Sequence, residues 1–255
     1  MTRSLKLDSA MHFTILRNPV DAFESLFHYI DMAKFYNVSS LPEFIKKLNS
    51  SDPIRSDRLY GLGRNQLSFN LGLPVKHFDN MDMIKKNSKE IEKRFDLVMI
   101  FEYFEESLIF LKNLLEIPLI NVMSTKSNAR HQESKHILTV GEKDILSKWL
   151  KADIYLYQLF RRKFEESMTT RITEEAKILR KFNDLLYQAC NVSQHKIDIG
   201  EKVSIGKATL SEPFTNKSNL LCNHFFMYWY AAPGRRIRQH SEVKRIFQIE
   251  NFSEK

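Results

Sequence analysis

Residues 12–29 read HFTILRNPVDAFESLFHY, and this stretch decides the fold. His12 to Leu16 is a short apolar, β-branched run of strand length. It stops at Arg17-Asn18-Pro19, because Pro19 has no N–H to give to a central ladder. Proline is favoured in the first turn of a helix, where its missing donor is not needed. Val20, Phe23, Leu26, Phe27 and Ile30 then recur at helical spacing. That spacing predicts one helix with an apolar face over VDAFESLFHYIDMAKFY, residues 20–36. The order is strand, tight turn, helix.

The same order returns at 95–116. FDLVMIFE is an apolar run of strand length, and YFEESLIFLKNLLE switches to helical period, with Phe104, Leu108, Leu111, Leu114 and Leu115 on one side. Two strand-then-helix units predict an α/β fold, a parallel sheet flanked by helices. Pro118 ends the second helix, and LINVMS (119–124) is expected to add a strand. LPEFIKKL (41–48) reads as a short helix, and residues 61–74 as a loop around a short helical or extended piece. The glycines of GLG (61–63) have the wrong spacing for a nucleotide-binding fingerprint, and no clear strand precedes them. Thr139 to about Tyr187 is helical and charged, which makes the C-terminal half helix-rich; 200–219 reads as loop and 220–248 as one or two short helices.

The length fits one large domain or two small ones, and residues 1–255 are read as a single domain. Apolar residues are 43% of the chain, with 7 Gly and 7 Pro, which excludes collagen-like, low-complexity and mostly disordered classes. Lys plus Arg is 39 against 31 Asp plus Glu, a formal charge of +8 that suits a phosphate, sulfate or anionic-lipid partner. Basic residues are scattered except for Arg235, Arg236, Arg238, Lys244 and Arg245, so the balance does not by itself indicate nucleic acid. Two cysteines, Cys190 and Cys222, are too few for a disulfide scaffold or a CxxC zinc site. No apolar run is long enough to span a membrane, and the first sixteen residues lack a signal-peptide pattern. Sequons at Asn37, Asn49, Asn191, Asn216 and Asn251 lean towards a secretory lumen, where a Cys190–Cys222 bridge would persist.

The informative constellation is Arg17 with Ser25. Ligands of a parallel α/β sheet bind beyond the carboxyl ends of its strands. An arginine at a strand end holds a phosphate through its planar fork, and a serine eight residues on, about two turns into the next helix, adds a hydroxyl.

HFTILRNPVDAFESLFHY resembles the 3′-phosphate-binding motif of sulfotransferases that use 3′-phosphoadenylyl sulfate. GRNQLSFNLGL (63–73), FDLVMIFEYFEESLIFLKNLL (95–115), SNAR (127–130) and ADIYLYQLF (152–160) narrow the resemblance to the galactose-3-O-sulfotransferase family. The resemblance covers nearly the whole chain and is weakest over 195–255. It implies a sulfotransferase fold related to the P-loop nucleotide kinases, with Arg17 and Ser25 as cofactor-binding residues. The activity implied is transfer of a sulfuryl group from 3′-phosphoadenylyl sulfate to the 3-hydroxyl of galactose in galactosylceramide or related glycans. The mechanism implied is in-line displacement without metal, and the setting a Golgi membrane facing the lumen. Family members place a membrane anchor and a strand–loop–helix unit, whose loop holds the 5′-phosphosulfate, ahead of this motif. The chain starts just before Arg17's strand, so it is expected to be a partial domain lacking that first unit. The rival expectation is a catalytically impaired relative that binds nucleotide or glycan. A third reading uses the C-terminal basic cluster on a membrane surface or nucleic acid.

No residue is assigned as the catalytic base. His12 and His28 read as structural; His131 and His136 follow SNAR in a polar loop, and His77 stands apart. Lys126, Asn128 and Arg130 are better placed for cofactor or sugar. Glu102, Glu105 and Glu106 read as acidic residues opening a helix. Trp149, Tyr155, Tyr157 and Phe160 read as core, as does FFMYWY (225–230).

Overall fold

The computed structural model describes residues 10–50, 63–124 and 137–190. They form a helix-rich α/β fold with a small parallel sheet. In chain order these are β1 (Phe13–Leu16), α1 (Pro19–Tyr29), α2 (Met32–Tyr36), α3 (Leu41–Leu48), α4 (Gln66–Asn70), α5 (Met81–Arg94), β2 (Leu97–Ile100), α6 (Phe104–Leu114), α7 (Val140–Trp149), α8 (Lys151–Ser167) and α9 (Thr170–Cys190). Single 3-10 turns cover Val75–His77, Phe101–Tyr103 and Leu119–Val122. The chain divides into two compact units. Among the described residues the first holds everything to Leu119 and 137–176, and the second holds 120–124 and 177–190.

In the first unit β1 and β2 pair in parallel, Phe13 opposite Leu97 through Leu16 opposite Ile100. Leu16 and Ile100 are fully buried and pack with Ile91 of α5 and with Leu156, Tyr157, Phe160 and Phe164 of α8. Phe13 and Ile15 alternate to the other face and stay 45% and 38% exposed. A second core joins Val20, Phe23 and Phe27 of α1 to Met32, Tyr36, Phe44 and Leu146. Trp149 closes it edge-on against Phe23 and Phe44, at 5.1 and 5.4 Å between ring centroids. Trp149, Tyr157 and Phe160 are therefore core residues, as their helical spacing predicts.

Two sequence expectations are corrected. The helix predicted over 20–36 is broken. Ile30 ends α1, and Asp31 takes a left-handed conformation, φ 53°, which aspartate tolerates better than most residues. Continuing α1 would carry Asp31 and Lys34 to the apolar face; the break turns Met32 and Tyr36 into the core instead. LINVMS is not a strand: Leu119–Val122 coil into a 3-10 turn after Pro118. A four-residue apolar run does not distinguish the two outcomes by periodicity.

The helix Met81–Arg94 buries only Ile84, Ser88 and Ile91, too sparse a stripe for apolar periodicity to mark. Its start is set by Asn80, whose Oδ1 accepts from the Asp82 and Met83 amides at 3.0 and 3.1 Å. The GLG glycine that is described has a packing role. Gly63 has φ 78°, and a Cβ there would lie 2.5 Å from Met32 Cε.

The short helix α4 is tied to α8 by reciprocal capping. Buried Asn65 Oδ1 accepts from the Ala152 and Asp153 amides at 2.9 and 3.1 Å. Asp153 returns the contact, its two carboxylate oxygens accepting from the Leu67 and Ser68 amides at 3.0 and 2.7 Å. In the second unit the Asn183 side chain accepts from the Ser124 amide at 2.9 Å. Cys190 is the last residue of α9, and Cys222 lies outside the described residues.

Burial pushes the Asp153 carboxyl from its ordinary 3.8 up to about 6, against the pull of the Ser68 and Leu67 donors. A raised folded value means that the folded state holds the proton more tightly. Asp153's contribution is fully present below pH 3.8 and fades as pH rises through about 6. Urea unfolding of wild type against Asp153→Asn is expected to show the wild-type advantage shrinking over that window, by on the order of 2 kcal/mol, and flat above pH 7. A pH-independent difference would contradict this.

Candidate functional site

The ladder register sets the site. Because Leu16 pairs with Ile100, both chains leave the sheet at the same edge, Arg17 beside Phe101 and Asn18 beside Glu102. The Arg17 guanidinium carbon lies 5.1 Å from the Phe101 ring centroid. The Asn18 amide donates to Glu102 Oε1 at 2.7 Å, and the Tyr157 hydroxyl donates to Glu102 Oε2 at 2.9 Å. One carboxylate thus joins the turn after β1 to α8.

The two turns are shaped locally. Asn18 is the N-cap of α1, its Oδ1 accepting from the Val20 and Asp21 amides at 3.0 and 3.4 Å, with Pro19 in the first helical position. After β2, the buried Ser107 hydroxyl accepts from the Ile100 amide at 3.0 Å and contacts the Ile100 carbonyl oxygen, as donor, at 2.9 Å. This reciprocal pair folds α6 directly back on the strand end and fixes where Phe101 and Glu102 emerge.

Arg17 is half-buried and has no carboxylate partner among the described residues. Ser25 lies in α1, half-buried, and its hydroxyl makes no hydrogen bond among the described residues. Both oxygens of Glu102 are occupied, so its charge is committed to the scaffold. Burial, and next the Glu102 contact, push the Tyr157 hydroxyl up to about 12, which keeps it protonated as a donor. A guanidinium at the carboxyl end of a parallel strand and a hydroxyl in the helix that follows, neither paired among the described residues, suit a doubly charged oxyanion.

The other expected residues separate from this edge. His12 lies at the opposite end of β1, its amide donating to Asp96 Oδ2 at 2.7 Å. His28 is exposed on α1, with Nε2 3.5 Å from Glu24 Oε1, and His77 sits in a 3-10 turn. Glu105 and Glu106 lie in the first turn of α6, as the macrodipole argument expects. Glu102 departs from that reading: it precedes the helix and serves as the bridging acceptor. Lys126, Asn128, Arg130, His131 and His136 lie outside the described residues, as does the Arg235–Arg245 cluster. Among the described residues no three His, Cys, Asp or Glu side chains cluster as metal ligands, and no helix is long and apolar enough to cross a membrane. A depression of about 480 Å³ between α3 and α7, floored by Pro42, Ile45 and Ile145, contains none of the edge residues. Phe101 and Tyr157 escape sequence reasoning as site residues because neither type signals anion binding; strand register alone would place Phe101 beside Arg17.

A family model described as galactose-3-O-sulfotransferase matches residues 2–225. The chain belongs to the galactose-3-O-sulfotransferase family. It is 35% identical over 190 residues to mouse (Mus musculus) galactose-3-O-sulfotransferase 2, covering 70% of this chain and 47% of that protein. It is 32% identical over 209 residues to human (Homo sapiens) galactosylceramide sulfotransferase, covering 77% and 48%. Against human galactose-3-O-sulfotransferase 3 the identity is 29% over 194 residues, covering 71% and 44%. The chain spans about half the length of the curated relatives it matches. No solved structure matches it.

The geometry separates two neighbouring residues of this family member by role. Asn18→Ala removes a helix cap and is expected to cost about 1 kcal/mol in thermal or urea unfolding. Arg17→Ala breaks no ion pair among the described residues and is expected to stay within about 0.5 kcal/mol of wild type. Equal losses would contradict the reading of Arg17 as a ligand-facing residue.

Proposed function

We propose that the chain forms part of a sulfotransferase that moves a sulfuryl group from 3′-phosphoadenylyl sulfate to the 3-hydroxyl of a terminal galactose. The observation that carries this is Arg17, a half-buried arginine at the carboxyl end of a parallel strand with no carboxylate partner among the described residues, in a chain of this family. The residues present fit the donor's 3′-phosphate: the Arg17 fork supplies two charge-assisted hydrogen bonds and the Ser25 hydroxyl a further one. The donor supplies the sulfuryl group; these two side chains bind and orient its nucleotide end. The flanked parallel sheet agrees with a nucleotide-kinase-like core.

The acceptor we propose is galactosylceramide or a related galactose-terminated glycan, after the names of the relatives. A Golgi-lumenal setting, membrane-associated in the full-length family, agrees with exposed sequon residues Asn37 and Asn49. Transfer demands charge neutralisation on the leaving phosphate and a base at the acceptor hydroxyl, and no described residue is assigned to either step.

The test is calorimetric titration of the chain with adenosine 3′,5′-bisphosphate. Binding is expected, weakened roughly ten- to a hundredfold in Arg17→Ala and about three- to tenfold in Ser25→Ala. A folded wild-type chain that does not bind would overturn the reading. Binding without transfer of labelled sulfate to galactosylceramide would assign this polypeptide a nucleotide-binding role alone.

A further inference from the structure

The edge described above contains a feature that anion binding alone does not require. Phe101 is 47% exposed, the first residue past β2, and its ring lies against the Arg17 guanidinium. A large aromatic left in solvent at a strand end gains little from burial, and no described core cluster includes it. Its aromatic neighbour among the described residues is Phe104, at 6.0 Å between centroids. Next to it stands Glu102, an acidic residue beside a proposed anion site. Its charge opposes a bound phosphate, so its presence asks for a reason.

The hydrogen bonds supply one. Glu102 Oε1 accepts the Asn18 amide and Oε2 accepts the Tyr157 hydroxyl. Tyr157 is itself buried on α8 and packed in the core with Leu16 and Ile100. The Arg17–Asn18 turn is thereby held to a rigid helix through one carboxylate, while the Phe101 ring restricts the guanidinium. An arginine side chain is rich in rotamers, and pre-orienting its fork lowers the entropy that must be lost when a phosphate binds.

We propose that Phe101 and Glu102 are positioning residues that pre-orient Arg17 for the 3′-phosphate, Phe101 by stacking on the guanidinium and Glu102 by bridging the Asn18 amide to Tyr157. Neither touches the ligand. This rests on the proposed role of Arg17 and deepens it: recognition of the 3′-phosphate, and hence preference for a 3′-phosphorylated nucleotide, is set from the end of β2 as well as from β1.

The test compares the affinities of the full chain for adenosine 3′,5′-bisphosphate and adenosine 5′-monophosphate, with folding checked by circular dichroism. The ratio of the two affinities isolates the 3′-phosphate, so general damage to the nucleotide site cancels. Phe101→Ala is expected to lower the ratio about three- to tenfold with monophosphate affinity unchanged, and Phe101→Trp to restore it, because tryptophan is the better cation–π partner. Glu102→Ala and Tyr157→Phe lower the ratio. Glu102→Gln keeps an acceptor for the Asn18 amide and removes the opposing charge, so it retains or raises bisphosphate affinity. If Arg17→Ala collapses the ratio while the Phe101 and Glu102 variants leave it at wild type, or lower both affinities equally, the positioning role is wrong and the role of Arg17 stands. If Arg17→Ala leaves the ratio intact, the role of Arg17 fails and the positioning proposal falls with it.

Discussion

Everything at the functional edge depends on one pairing, Leu16 opposite Ile100 in a parallel ladder. A parallel register brings two chain exits to the same side, which an antiparallel pair cannot do. Both residues are almost fully buried, and a slip of one residue would turn their side chains out of the core. Hydrophobic burial therefore fixes, at no further cost, that Arg17 meets Phe101 and Asn18 meets Glu102. The polar contacts hold what the register has already placed. Ser107 locks the end of β2, Asn18 caps α1, and Glu102 ties the two turns to α8.

The charges at this edge are arranged by the same logic. Glu102 is fully engaged with an amide and a phenol, and Arg17 has no carboxylate partner among the described residues. A guanidinium in that state is available to a ligand, and the ligand class it suits is an oxyanion. A similar pattern of engaged side-chain acceptors recurs away from the site. Asn65 and Asp153 cap each other's helices in the interior, where neither could be left unpaired without a penalty of roughly 1–3 kcal/mol per orphaned group. α8 is thus anchored at its amino end by Asn65 and reaches the site through Tyr157 in the following turn.

Much of this was legible in the sequence, for identifiable reasons. Pro19 after an apolar run marks both the end of β1 and the start of α1, and the Phe95–Glu116 stretch repeats the signal without a proline. Arg17 and Ser25 could be picked out as candidates because a strand end and the following helix are where a parallel α/β sheet presents groups to a ligand. The break at Asp31 was written in the pattern too, since a continuous helix would put Asp31 and Lys34 on the apolar face, but a run of apolar residues on both sides masks it. The helix Met81–Arg94 and the 3-10 turn Leu119–Val122 were not legible: one is mostly polar with a sparse apolar stripe, the other too short for a period. Phe101, Glu102 and Tyr157 come together through register and packing across 55 residues of sequence, which no local pattern encodes.

The carboxyl edge of the sheet, two-stranded among the described residues, is proposed as the anion site of this galactose-3-O-sulfotransferase family member. A crystal structure of the chain with adenosine 3′,5′-bisphosphate tests it most directly. The 3′-phosphate is expected within hydrogen-bond distance of the Arg17 guanidinium and the Ser25 hydroxyl, with Phe101 still against Arg17 and Glu102 still bridging Asn18 and Tyr157. Nucleotide bound elsewhere, or a 3′-phosphate held without Arg17, would contradict it.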